Sequence, residues 1–235
     1  MTRSDRAELP LIIFDVDGTL VGGESYDWSA FGAAFEEVSG TTFAAGFFDK
    51  LTEVTASAIV RAALPQLNET ALAHTIIRVA HGYAQRLAVD IAAHPAAFQP
   101  TPGALELLRE LSARGYNCAI ATGDWFESIK LKLNAAQIPW HPLPIATSSD
   151  RPTRAETIAL AAERSGRAVS QSIYIGDGTW DLRATQSLRI PFIGVGAKHP
   201  ALASAGAEHV FPTLEPAGIL PLLDQIRANR RVPTL

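Results

Sequence analysis

The chain has 235 residues, 47% apolar and 19% charged, and its 20 basic and 24 acidic side chains leave a net charge of -4. This composition suits a folded domain with a substantial core and excludes a disordered or fibrous chain; with no long single-sign run it also argues against a nucleic-acid or anionic-membrane partner. One cysteine, Cys118, excludes an intrachain disulfide and, with six scattered histidines, speaks against a structural zinc site. No apolar run reaches the ~18 residues of a membrane span. The opening MTRSDRAELP has no apolar signal core behind it, so the expected location is cytoplasmic. At roughly 150 residues per domain, the length suggests one main domain with an insert.

The first element is the apolar run Pro10 to Phe14, which reads as a strand buried on both faces and ends on Asp15. From Gly22 to about Pro100 the spacing turns helical, with stripes at Phe31, Ala34, Phe35 and Val38, at Ile59, Ala62 and Ala63, and at Leu72, Ile76, Val79 and Tyr83. Breakers at Gly40, Gly46, Pro65 and Pro95 divide this stretch into roughly four helical pieces. Beyond Pro100, strands and helices alternate. Strands are expected at 116–121, 143–146, 172–175, 191–195 and 209–211. Helices are expected from Pro102 to Gly115, from the capping-box pattern Asp124 to Glu127, and from a second such pattern at Thr153 to Glu156. Further helices are expected at 179–188, near Ala201 and from Pro216 to Ala228, with a frayed tail from Arg230 to Pro233. Strands alternating with helices mean βαβ units, so the expected fold is α/β: a Rossmann-like doubly wound parallel sheet with an inserted all-helical cap. The core would comprise residues 1–21 and 98–235, and the cap residues 22–97.

Ligands of such sheets bind beyond the carboxyl ends of the strands. Three of those ends bring together Asp15 and Asp17, then Thr122, Gly123 and Asp124, then Asp177 and Asp181. Any one aspartate there is an ordinary turn or cap residue. Together, carboxylates this close need a compensating cation, and a few hard oxygen ligands are what Mg²⁺ prefers.

The segment Asp15-Val16-Asp17-Gly18-Thr19-Leu20 resembles the first motif, DxDGTL, of the haloacid dehalogenase superfamily of phosphotransferases. Thr122 is similar to the second motif, and Gly176-Asp177 followed by Asp181 to the fourth. The third motif is normally a lysine, but none lies between Lys132 and Asp177, so an arginine must take its place. Arg151, followed by Pro152, is one candidate. Arg154 is favoured, because a cation at the first helical position opposes the helix dipole and so suggests a neighbouring phosphate.

The resemblance implies a phosphatase with a helical cap, close to the phosphoglycolate-phosphatase-like subclass, acting on a small phosphorylated metabolite. Asp15 would be the nucleophile and Asp17 the general acid and base. Asp15, the main-chain carbonyl of Asp17 and Asp177 would hold Mg²⁺. Thr122, Gly123 and an arginine would bind the phosphoryl group, and Asp181 would orient that arginine or a metal-bound water. Gly22-Gly23 would form the hinge of the cap, with Tyr26, Trp28 and Trp125 as candidates to line the pocket. A phosphomutase of the same fold is the alternative. A dehalogenase is disfavoured by the presence of Asp17, and a non-catalytic binding protein by the full aspartate set. His74, His81 and Cys118 read as structural rather than functional. Neither the substrate nor the oligomeric state is legible.

Overall fold

The computed structural model describes residues 9–230; the N-terminal reading above rests on residues outside this range, as does most of the expected frayed tail. Six parallel strands form one sheet in the order β3-β2-β1-β4-β5-β6. They are β1 (Leu11–Phe14), β2 (Cys118–Ala121), β3 (Ile145–Ala146), β4 (Ser172–Gly176), β5 (Phe192–Val195) and β6 (Val210–Phe211). β1 is central: Ile12 lies opposite Cys118 on one side and Ile173 on the other. The chain winds outward through β2 and β3, then returns to place β4 on the far side of β1. The topological switch point therefore falls at the carboxyl ends of β1, β2 and β4.

The period-two alternation of β1 explains the two-sided cover. Ile12 and Phe14 point into a cluster with Leu107 of α4 (Ala104–Ala113), Ile129 of α5 (Phe126–Ala135) and Leu223 of α9 (Pro216–Arg230). Leu11 and Ile13 point the other way, onto Ile158 of α6 (Arg154–Arg164), Leu182 of α7 (Thr179–Leu188) and Leu202 of α8 (His199–Ser204). All four β1 side chains are buried.

Residues 24–93 contribute no strand. They form α1 (Glu24–Ser39), a 3₁₀ turn at Phe48–Lys50, α2 (Ala56–Ala63) and α3 (Glu69–Ala93), so one of the four expected helical pieces is only a turn. Their apolar stripes meet in a separate cluster with Phe31, Phe35, Val60, Leu72, Tyr83 and Leu87 at its centre. The chain leaves the sheet at Val21 and returns at Pro100, where the two segments form a bridge. Gly22 donates to the Gln99 carbonyl there, and Gly23 adopts φ 99° with Phe98 packed where a Cβ would sit.

Several boundaries differ from the sequence expectation for identifiable reasons. β2 begins at Cys118, because the Tyr116 N–H still closes α4 by bonding to the Leu111 carbonyl. β3 begins at Ile145, after Pro144, which has no N–H to give. The capping box expected at Asp124–Glu127 does not form: the N-cap of α5 is Trp125, with no side-chain cap. One Asp124 oxygen instead accepts from the Trp125 N–H at 2.6 Å, and the other is drawn into the interior by Lys132. The box at Thr153–Glu156 forms as expected.

Candidate active site

The switch point gathers the strand-end residues into one small cavity of about 80 Å³ lined by Asp15, Asp17, Thr122, Gly123, Arg154 and Asp177, among others. Asp15, Thr122 and Asp177 are all buried. Asp15 is fixed by its backbone, whose N–H donates to the Ile175 carbonyl. Gly18 has φ 71°, and a Cβ there would fall 2.4 Å from Asp177 Oδ2, so the first loop closes onto the third strand end only with glycine.

Arg154 is the first residue of α6 and points into this cavity. Its Nη1 donates to Asp15 Oδ1 at 3.0 Å, and its Nε lies 3.3 Å from Asp181 Oδ1 as an ion pair. Asp181 is completely buried. It accepts from the Gly178 N–H at 3.1 Å and from the Tyr174 hydroxyl at 3.3 Å. Between the two arginine candidates the geometry is plain: Arg151 is exposed and donates to the Asp150 carbonyl, away from the carboxylates. The unfavourable cation at the start of α6 has a compensation the sequence did not reveal. The Arg154 backbone N–H, one of the open donors of that helix end, donates to Glu53 Oε1 at 2.9 Å.

A second cluster adjoins the first. Lys132, fully buried on α5, reaches Asp17 Oδ1 at 2.6 Å, Asp27 Oδ1 at 2.8 Å and Asp124 Oδ2 at 2.6 Å. The Tyr83 hydroxyl completes the group, within hydrogen-bond distance of Asp27 and, at 3.0 Å, of Asp124. Here one ammonium faces three carboxylates. Burial pushes Asp17 and Asp27 above the ordinary carboxylate range; Lys132 opposes that shift, and the neighbouring carboxylates add to it.

Asp177 has a cation of its own, with Lys198 Nζ 2.8 Å from Oδ2 and Glu24 on the other side of the ammonium. Burial raises Asp177 to about 7, against the pull of Lys198 and with a push from Asp15.

Asp15, Asp177 and Asp181 each offer an oxygen, all within 4.8 Å of one another. Such a buried, all-oxygen set fits a hard divalent cation. Arg154 and Lys198 engage one oxygen each of Asp15 and Asp177, leaving the other free to ligate. Asp17, Asp27 and Asp124 also lie within that distance of one another, but the Lys132 ammonium already sits among them.

Lys132, Asp27, Tyr83 and Lys198 were not singled out from the sequence as site residues. Lys132 had a legible signal: it shares the buried face of α5 with Ser128, Ile129 and Leu133. Of the three aromatic candidates, Trp28 lines the cavity. Tyr26 instead stacks on His94, and Trp125 donates its indole N–H to Ser57 Oγ. His74 and His81 are exposed on α3, and burial pushes the Cys118 thiol up to about 12.

A sequence model described as haloacid dehalogenase-like hydrolase matches residues 12–195, from β1 through β5. The chain belongs to that family. It is a hydrolase with the α/β fold the family is built on. A protein of Dickeya dadantii (strain 3937) named "Probable phosphatase IndB" is 29% identical over 200 residues, 79% of this chain and 80% of the relative. Among solved structures, a hydrolase from Pseudomonas syringae superposes with TM-score 0.71 at 21% identity, covering 92% of this chain and 99% of its own. A β-phosphoglucomutase from Clostridium difficile gives TM-score 0.71 at 18% identity, covering 94% and 98%. A predicted phosphoglycolate phosphatase from Haemophilus somnus 129pt gives 0.65 at 19%, covering 92% and 98%. At these identities the solved structures establish the shared fold. No helix among the described residues is long and apolar enough to cross a membrane.

Proposed function

We propose that the chain is a Mg²⁺-dependent phosphatase that hydrolyses a small phosphomonoester through an aspartyl-phosphate on Asp15. The observation that carries this reading is the convergence on one cavity of Asp15, held by Arg154, and Asp17, held by Lys132. A nucleophilic carboxylate and a second carboxylate for proton transfer are what the two steps need. The name of the Dickeya relative supports the same class.

In the first step Asp15 attacks phosphorus in line, and the ester P–O bond breaks as Asp17 gives its proton to the departing alcohol oxygen. In the second, Asp17 takes a proton from the water that attacks the aspartyl-phosphate, and Asp15 is released. Arg154, Thr122 and the Gly123 amide bind the phosphoryl oxygens. Asp181 keeps the Arg154 fork aimed at Asp15. Mg²⁺ would be held by Asp15, the main-chain carbonyl of Asp17 and Asp177, and when bound it neutralises charge between the nucleophile and the phosphoryl oxygens. Burial, with the neighbouring carboxylates adding to it and Lys132 opposing it, raises the Asp17 pKa, the direction that favours the protonated form an acid needs. Residues 22–97 would act as a cap over the core formed by 1–21 and 98–235, excluding water while the phosphoryl group moves. The test is turnover of p-nitrophenyl phosphate by the wild type and by Asp15→Asn. A variant retaining more than about a tenth of wild-type kcat would refute Asp15 as nucleophile.

A further inference from the structure

We propose that the alcohol released by this enzyme carries an apolar ring, received by an aromatic cavity beside the reacting carboxylates; this rests on the phosphate-ester reading above. The cavity has about 630 Å³ and lies between α1, the connection through residues 43–54 and the start of α7. Its walls include Trp28, Phe31, Phe43, Phe48, Leu51 and Trp180. It adjoins the site: Trp28, Phe31, Val54 and Trp180 line both this space and the cavity around Asp15 and Asp177. The inner cavity, near 80 Å³, leaves room for little beyond the phosphoryl group. The outer one falls within the ~300–1,000 Å³ of small-molecule pockets. The adjoining aromatic space is the neighbouring volume large enough to receive what is attached to the phosphate.

The chemistry of those walls selects the occupant. The large apolar side chains exposed among the described residues are Trp28, Phe48, Ile77, Val89 and Phe126, and two of them, the rings of Trp28 and Phe48, line this cavity. They meet edge to face at 5.2 Å, and behind them Phe31 and Phe43 stack at 5.7 Å with planes 7° apart. This is an aromatic wall held in place by its own ring contacts, able to take a flat ring by face or edge. Asp49, Thr179 and Arg183 are the polar residues of the lining. A small hydroxylated alcohol such as glycolate, or a sugar, would lose hydration against the apolar part of this wall, with Asp49, Thr179 and Arg183 to partner its hydroxyls.

The experiment compares 2-phenylethyl phosphate with ethyl phosphate, two primary alkyl esters with similar leaving groups, on the purified enzyme. The phenyl ester should have kcat/KM higher by about tenfold or more, chiefly through KM, as expected for burying one ring. Phe48→Ala, at a half-exposed ring, should erase most of that preference, with circular dichroism confirming the fold. Turnover of both esters without preference overturns the pocket assignment and leaves the phosphatase reading standing. An unchanged preference in Phe48→Ala, or a higher kcat/KM for phosphoglycolate or a sugar phosphate, overturns it as well. No turnover of either ester or of p-nitrophenyl phosphate overturns the phosphatase reading and this inference with it.

Discussion

Replacing Lys132 by Met removes the ammonium and keeps most of the side-chain volume. The lysine is completely buried and contacts three carboxylates between 2.6 and 2.8 Å. At an effective dielectric near 20, a close ion pair gains about 4 kcal/mol. Desolvation and repulsion among Asp17, Asp27 and Asp124 take back much of the sum. Deleting the cation leaves the carboxylates buried without compensation, a change that typically costs about 3–5 kcal/mol. For a chain of this size each kcal/mol lowers Tm by roughly 2–4 °C, so Lys132→Met should melt about 6–20 °C below the parent. The deficit should also depend on pH. A carboxyl whose folded-state pKa is raised, as Asp27's is, stabilises the fold while protonated; that stabilisation is complete below the unfolded pKa and is lost as pH rises through the folded one. Removing Lys132 takes away the main influence opposing the rise, so the deficit should be larger near pH 8 than near pH 5.5. Scanning calorimetry at both pH values gives the answer. A variant melting within about 2 °C of the parent at both would refute the claim that this lysine compensates the cluster.

Arg154→Ala should lose activity by about 10²-fold or more, while Arg151→Ala stays close to the parent; steady-state kinetics that rank them the other way would move the phosphoryl contact to Arg151. Chelation with EDTA should abolish turnover and added Mg²⁺ restore it, so full activity in metal-free buffer would count against the Asp15 and Asp177 ligand assignment. Asp17→Asn should slow single-turnover phosphorylation by an alkyl ester ~10²–10⁴-fold but by p-nitrophenyl phosphate far less, since p-nitrophenolate leaves with little help from an acid. Equal losses on both substrates would assign Asp17 to geometry instead.

The parts of the site that lie at strand ends were legible because strand periodicity locates them. Asp15, Thr122 and Asp177 each follow a short apolar run, and in a doubly wound sheet such ends converge at the switch point. Arg154 was legible as a cation at an unfavourable helix position, although its partner Glu53, far off in sequence, was not. The Lys132 cluster stayed hidden for a different reason. Its members come from α1, α3, the loop after β2 and α5, and no local pattern links Asp27, Tyr83, Asp124 and Lys132. Tyr83 reads as one more apolar position in a helical stripe, and only packing shows that its ring is core while its hydroxyl serves the cluster. Asp124 invited a capping-box reading because Glu127 follows at the right spacing. The buried ammonium offers its carboxylate a stronger partner than a backbone N–H.

The central claim is that Asp15 carries the phosphoryl group, and rapid acid quench of a single turnover followed by peptide mass spectrometry tests it most directly. The account predicts a phosphorylated peptide containing Asp15 that appears together with the product alcohol, before inorganic phosphate is released, and is absent from Asp15→Asn. Turnover of the ester with no phosphopeptide at any quench time, or a phosphoryl group found on another residue, would contradict it.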